Sequence, residues 1–355
     1  MQGLFKCFGI PNSSLRKKHK KLKTSIQGLE SEGPEPNRYS ACLSDVRKFS
    51  WDEIERLTND FCSSRVIGYG GFSIVYLADH GPGLAAIKIV SGSRLFNQEL
   101  DILRQLHHRN IVGLIGYCDD RDDQGALVLE YISNGSLEEK LHGRVDQIST
   151  NYVLPWKSRI AIAFQVAEAL EYLHEKCGGL PIVHGDIKAS NVLLDQDLNC
   201  RLCDFGSANM GFSSAVAPRL TPNRGLMMGS PGYTDPHYMI TGLPSKKNDV
   251  YSFGVLLLEL VTGMQAFCSE SNRPLASRVE PMLGGDDVDV AELVDPRLAG
   301  EFDAVEARAL LSLSADCLRH PPTLRPSASQ ILQTFKDNIS SQIYDFSKKS
   351  VPLQK

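Results

Sequence analysis

The chain has 355 residues, a formal net charge of −4 and 42% hydrophobic residues. That length exceeds one compact core, so two lobes with tails are expected, and the near-balanced charge shows no footprint for nucleic acid. Nine scattered cysteines, an odd number, argue for a reducing compartment rather than a disulfide framework.

Residues 1–48 read as a tail. The first ten are short and apolar with Cys7 between Lys6 and Phe8, Arg16 to Lys23 is strongly basic, and residues 30–37 have the Glu, Pro and Gly of a flexible linker. No apolar core of a secretory signal is visible. The basic run suits a solvated tail, a nuclear signal or a membrane-surface anchor, where each Lys or Arg near anionic lipid contributes about 1 kcal/mol. An acyl chain on Cys7 would add a second weak anchor. Gln2 in place of Gly speaks against N-myristoylation. The apolar run Val255 to Leu258 is broken by Glu259, well short of the ~20 residues of a membrane span. The expected location is cytoplasmic, with a peripheral position at the plasma membrane as the alternative.

Residues 49–132 form the expected first lobe. Ser50 and Glu53 make a capping box for a short helix running toward Phe61. Strand signals follow at residues 65–67, 74–77 and 85–90. Between the first two lies Gly68-Tyr69-Gly70-Gly71-Phe72-Ser73, whose glycines let backbone approach phosphates; alone, such a loop is more often a plain hairpin. Phe96, Leu100, Leu103 and Leu106 share one helix face, with Glu99 on the same helix. A strand at residues 127–132 and the turn Ser133-Asn134-Gly135-Ser136 mark the lobe boundary.

Helical pattern dominates residues 133–338. Residues 156–177 are amphipathic and stop at Gly178-Gly179 and Pro181, and residues 250–261 are apolar almost all round, as a helix buried inside a lobe is. Residues 339–355 lose the pattern and read as a frayed tail. The stretch from His184 to Gly206 stands apart. A polar loop carries Asp186, Lys188 and Asn191, a strand, turn and second strand follow, and Asp204-Phe205-Gly206 closes it. Two acids and an amide on loops at the ends of a hairpin offer the hard oxygen donors that suit Mg²⁺, although each alone would more often be a cap or an Asx-turn. Cys200 and Cys203 have no second pair to complete a zinc site and read as ordinary strand residues.

Taken in order, these segments resemble eukaryotic-type protein kinases, closely those of plant receptor-like kinases and their cytoplasmic relatives. The likeness covers residues 49–338. It rests on residues 67–76, Ala86-Ile87-Lys88, His108-Arg109-Asn110, residues 184–206, Gly229-Ser230-Pro231-Gly232-Tyr233, residues 249–254 and Arg325-Pro326. Leu114-Ile115-Gly116-Tyr117-Cys118 and Leu173-His174-Glu175 add the plant character. The resemblance implies an α+β, bilobal fold, with a small β-rich lobe carrying one key helix and a larger, mostly helical lobe. It also implies ATP with Mg²⁺, or Mn²⁺ in its place. Lys88 would contact the nucleotide phosphates and Glu99 would hold it. Ile67, Gly68, Gly70, Gly71, Val75, Ala86, Leu129, Glu130, Ile132 and Leu193 would surround the nucleotide. Asn191 and Asp204 would hold the metal, Asp186 would orient and deprotonate the acceptor hydroxyl, and Lys188 would neutralise charge on the moving phosphoryl group. Asp249 would brace the catalytic loop. Lys188 and Ser230 are similar to the Ser/Thr-specific pattern, implying a protein substrate and an upstream receptor kinase.

Three positions depart from the family pattern. Ser73 replaces the third glycine. Gly185 stands where many kinases have Arg, so phosphorylation at Ser213, Ser214 or Thr221 is expected to have little leverage. His237 stands where the family has a Glu that pairs with a buried Arg, here Arg325. Either Asp235 takes over as partner or the lobe is softened; on the second reading His237→Glu raises the melting temperature. These departures motivate one alternative, a nucleotide-binding scaffold with weak transfer. A small-molecule phosphotransferase is a second, suggested by His184-Gly185-Asp186 and opposed by the segments around Ser230 and Asp249.

Overall fold

The computed structural model describes residues 46–81, 83–143, 152–211, 229–283 and 289–339. Cys7, the Arg16–Lys23 run, Ser213, Ser214 and Thr221 lie outside the described residues.

The first layer is a six-stranded sheet. Its strands are β1 (Arg47–Lys48), β2 (Val66–Gly70), β3 (Ser73–Asp79), β4 (Leu84–Ser91), β5 (Leu114–Cys118) and β6 (Gln124–Glu130), in the order β1-β5-β6-β4-β3-β2. Side chains alternate across a strand, so the pairing register assigns the faces. Val75 pairs with Lys88, Leu77 with Ala86, Lys88 with Leu127 and Ala86 with Leu129, which puts these residues on one face. The opposite face carries Tyr76, Ala78, Ala85, Ile87, Ile89, Ala126 and Val128, and there α1 (Trp51–Thr58) packs through Trp51 and Ile54. The two faces therefore have separate tasks: one is sealed by α1, and the other is left for α2 and a cleft.

The capping box forms as its spacing implies, with Ser50 and Glu53 each accepting from the other's backbone N–H. The helix stops at Thr58, earlier than expected, because Asn59, Asp60 and Phe61 are all left-handed, at φ 54°, 54° and 53°. Such residues cost roughly 1–2 kcal/mol each. The turn brings the Phe61 ring within 5.7 Å of both Trp51 and Tyr76, and that apolar contact offsets part of the strain.

Helix α2 (Ser93–Leu103) lies across the cleft face, burying Phe96, Leu100 and Leu103. The second lobe follows: α3 (Leu137–His142), α4 (Trp156–Glu171), α5 (Pro236–Thr241), α6 (Lys246–Thr262), α7 (Leu275–Leu283), α8 (Val290–Leu293), α9 (Ala304–Leu318) and α10 (Ala328–Asn338). Helix α4 runs on into a π-helical turn, Tyr172–Lys176. Helix α6 is buried along most of its length and packs on α9 and α4. Three short pieces complete the frame: β7 (Ile182–Val183), the hairpin β8 (Val192–Leu194) and β9 (Cys200–Leu202), and β10 (Asn209–Met210), which pairs with β7. A β-rich lobe with a helix on each face of its sheet, followed by a helical lobe, is the expected α+β, bilobal architecture. Among the described residues no helix is long and apolar enough to cross a membrane.

Candidate active site

The site lies between the cleft face of the sheet and the β8–β9 hairpin. Its centre is Lys88 on β4. The ammonium lies 2.7 and 2.8 Å from the two oxygens of Glu99 on α2 and 2.7 Å from Asp204 Oδ1, joining both lobes through one cation. Burial alone would lower the Lys88 pKa, but the Glu99 and Asp204 charges outweigh it and raise it above the ordinary lysine value. Burial likewise works to raise the Asp204 pKa, and Lys88 reverses that, holding the carboxyl below the usual range. Both groups are therefore charged at neutral pH.

The polar loop between β7 and β8 is held from below by buried Asp249 on α6. Its Oδ2 accepts from His184 N–H and its Oδ1 from Gly185 N–H, both at 2.8 Å, and His174 Nε2 lies 2.8 Å from Oδ2. Asp186 is thereby fixed at the cleft edge. Asn191 Nδ2 donates to Asp186 O at 2.8 Å and to Oδ2 at 3.1 Å. Cys203 N–H donates to Asn191 O at 2.9 Å, which joins the polar loop to the segment that carries Asp204. Ser230 Oγ donates to Asp186 Oδ1 at 2.8 Å, and Lys188 Nζ reaches both Ser230 Oγ, at 2.9 Å, and Asp186 Oδ2, at 2.7 Å. A hydroxyl, a carboxylate and an ammonium thus form a closed triangle.

Val75, Ala86 and Leu129 lie on the cleft face, and Gly68 pairs with Val75. Ile67 is on β2 and exposed, Gly70 pairs with Ser73, and Gly71 begins the two-residue turn between β2 and β3. Ser73 is thus the first residue of β3, and the glycine segment is a hairpin tip. Glu130 ends β6, where its N–H donates to Gly113 O at 3.0 Å; Ile132 is half-buried just beyond, and Leu193 is half-buried on β8. Cys203 is half-buried beside Asp204, and desolvation pushes its thiol up to about 12, so it stays protonated.

A family model described as a protein kinase domain matches residues 61–335. The chain belongs to the protein kinase family. A salt tolerance receptor-like cytoplasmic kinase of Oryza sativa subsp. japonica is 49% identical over 319 residues, covering 88% of this chain and 86% of that protein. A probable receptor-like protein kinase of Arabidopsis thaliana is 48% identical over 309 residues, covering 82% and 88%. A probable LRR receptor-like serine/threonine-protein kinase of the same plant is 37% identical over 337 residues, covering 91% of this chain but 36% of that protein.

One feature of this kinase was not marked beforehand. Tyr233 donates to the Glu259 carboxylate on α6 and accepts from Ala189 N–H at 2.9 Å, while His142 Nε2 lies 3.2 Å from Glu259. Burial, with Glu259 beside it, pushes the Tyr233 pKa far up, so its hydroxyl remains a donor that ties the Ser230 segment to the polar loop. Glu259 had one signal in the sequence: it is the acid in the middle of an otherwise apolar helix. Gly185, marked for its missing Arg, also has a steric role. Its φ is +79°, and a Cβ there would meet Ser207 O at 2.8 Å, so any larger side chain must displace the segment after Gly206.

Proposed function

We propose that the protein is a serine/threonine protein kinase that moves the γ-phosphoryl group of ATP, with Mg²⁺, onto Ser and Thr hydroxyls of a protein. The observation that carries this reading is the triangle of Ser230, Asp186 and Lys188, because a Ser hydroxyl already donates to the proposed base within reach of the proposed charge neutraliser. The residues fit the cofactor. Asp204 and Asn191, on segments joined by the Cys203–Asn191 backbone bond, offer hard oxygen donors, and the buried Lys88 supplies a fixed cation for phosphate oxygens. Bound Mg²⁺-ATP would supply the phosphoryl group and screen its charge. Lys88, held by Glu99, orients the phosphates. The β2–β3 hairpin tip, with Gly70 and Gly71, covers them, and Val75, Ala86, Leu129 and Leu193 flank the base with backbone from Glu130 to Ile132. Asp186 takes the acceptor proton, and Lys188 balances charge as it develops.

Each departure that suggested a weak scaffold has a local explanation. Ser73 continues β3, Gly185 seats Ser207, and Arg325 has a carboxylate partner without His237. The expected result with the full chain, ATP, Mg²⁺ and a generic protein acceptor is label on Ser and Thr alone. Phosphotyrosine as the main product would overturn the specificity.

An upstream receptor kinase as partner, and contact of Cys7 and Arg16–Lys23 with an anionic membrane, belong to the same proposal. Their support is the receptor-like relatives and the tail's basic sequence. Tagged chain lacking residues 1–30 should lose membrane enrichment in cells; equal enrichment with and without the tail rules the anchor out.

A further inference from the structure

The inward position of α2 is what keeps Glu99 on Lys88, so some contact must hold that helix against the rest of the site. Many kinases do this through an Arg before the catalytic Asp, whose activation-loop phosphate partner orders the segment. Here Gly185 removes that Arg. Beside it is a cavity of about 180 Å³ lined by Gln98, Gly185, Asn209, Ser230, Tyr233 and Asn248, among others, and no Lys or Arg is among its described lining residues. The ammonium next to Ser230, that of Lys188, is already paired with Asp186.

A neutral link is present instead. Gln98, half-buried on α2 and adjacent to Glu99, donates from Nε2 to Ala208 O at 2.8 Å. Ala208 is fully buried, and its segment is fixed on three further sides. β10 pairs with β7, Gly211 N–H donates to Pro181 O at 2.9 Å, and Ser207 O rests on Gly185 while accepting from Asn209 Nδ2 at 2.9 Å. The anchor is therefore rigid, and Gln98 ties the movable helix to it.

We propose that Gln98 is a positioning residue that latches α2 inward without phosphate. It acts through Glu99 and Lys88 and touches neither substrate nor nucleotide. Removing the latch lowers the fraction of molecules with the Lys88–Glu99 pair formed, while the buried Phe96, Leu100 and Leu103 still hold α2 on the sheet.

The inference rests on protein kinase activity, and the test separates the two. Wild type, Gln98→Met and Gln98→Lys are compared as full-length protein after phosphatase treatment, with kcat, KM for ATP and melting temperature measured. Met keeps the length and lacks the donor; Lys restores a donor. One net hydrogen bond is worth about a factor of 3 to 10 in an equilibrium. The expected result is a kcat/KM lower by about that factor in Gln98→Met with an unchanged melting temperature, and recovery to within about twofold in Gln98→Lys. Met activity equal to wild type overturns the latch. So does a loss that Lys does not restore, or one that follows a drop in melting temperature. Inert wild-type protein would instead defeat the kinase reading.

Discussion

Asp186→Asn is expected to lower phosphoryl transfer by about 10²- to 10⁴-fold, the range for removing a general base, and to leave folding and nucleotide binding in place. The side chain is partly buried and accepts from Ser230 Oγ, Lys188 Nζ and Asn191 Nδ2. Asparagine has the same shape and keeps one oxygen for these donors, so the loop keeps its anchors on Asp249. What it loses is the basic oxygen that can take a proton, and the negative charge facing Lys188. Lys88, Glu99 and Asp204 are untouched, so ATP affinity should change little. The measurement is incorporation of radiolabelled phosphate into a protein acceptor, beside the melting temperature with and without ATP. Equal incorporation by the two proteins would mean that Asp186 is not the base. A variant that no longer folds would be replaced by Asp186→Ser, which also lacks the basic oxygen.

The charged centre was legible because its chemistry leaves few choices. A lysine in a strand, a glutamate on the next helix and an Asp–Asn–Asp set around a hairpin occur in a fixed order, and the structure gathers Lys88, Glu99, Asp186, Asn191 and Asp204 into one cleft. The strand runs and the buried helix α6 were legible by period and by the lack of a polar face. Other features had no such signal. Gln98 bonds to a backbone carbonyl, which every residue has, so nothing at position 208 announces it. The π-helical turn at Tyr172–Lys176 continues an apolar pattern without a break, and a wider turn shows only in its hydrogen bonds. The left-handed run at Asn59–Phe61 overrides local helix propensity because the Phe61 ring packs on Trp51 and Tyr76, residues distant in the reading frame of a helix.

Of the two readings of His237, the structure shows the first: Asp235, 90 residues away in the sequence, takes over as the partner of Arg325. Arg325 is bidentate on Asp235, with Nη1 2.5 Å from Oδ2 and Nη2 3.0 Å from Oδ1, and it also donates to the carbonyls of Arg319 and Lys247. Both side chains are fully buried. Asp235 has two further tasks: it caps α5 by accepting from His237 N–H at 2.9 Å, and it accepts from Asn248 Nδ2 at 2.8 Å. His237 itself is exposed, so a glutamate there would face water and contribute little. His237→Glu should therefore leave the melting temperature within about 2 °C of wild type on that scale. Asp235→Asn strands a buried guanidinium and should cost about 3–5 kcal/mol, lowering the melting temperature by roughly 6–20 °C. The pH dependence has a fixed sign. Burial would raise the Asp235 pKa, but Arg325 and the other donors hold it below the usual carboxylate value. A depressed folded pKa gives stability that is present above the unfolded value of about 3.9 and is lost as pH falls through the folded one. Wild type should lose this contribution only below about pH 4, whereas Asp235→Asn lacks it at every pH. Thermal melts from pH 3 to 8 distinguish the two: curves for wild type and Asp235→Asn that stay equally far apart down to pH 3 would show that the pair does not titrate with the fold.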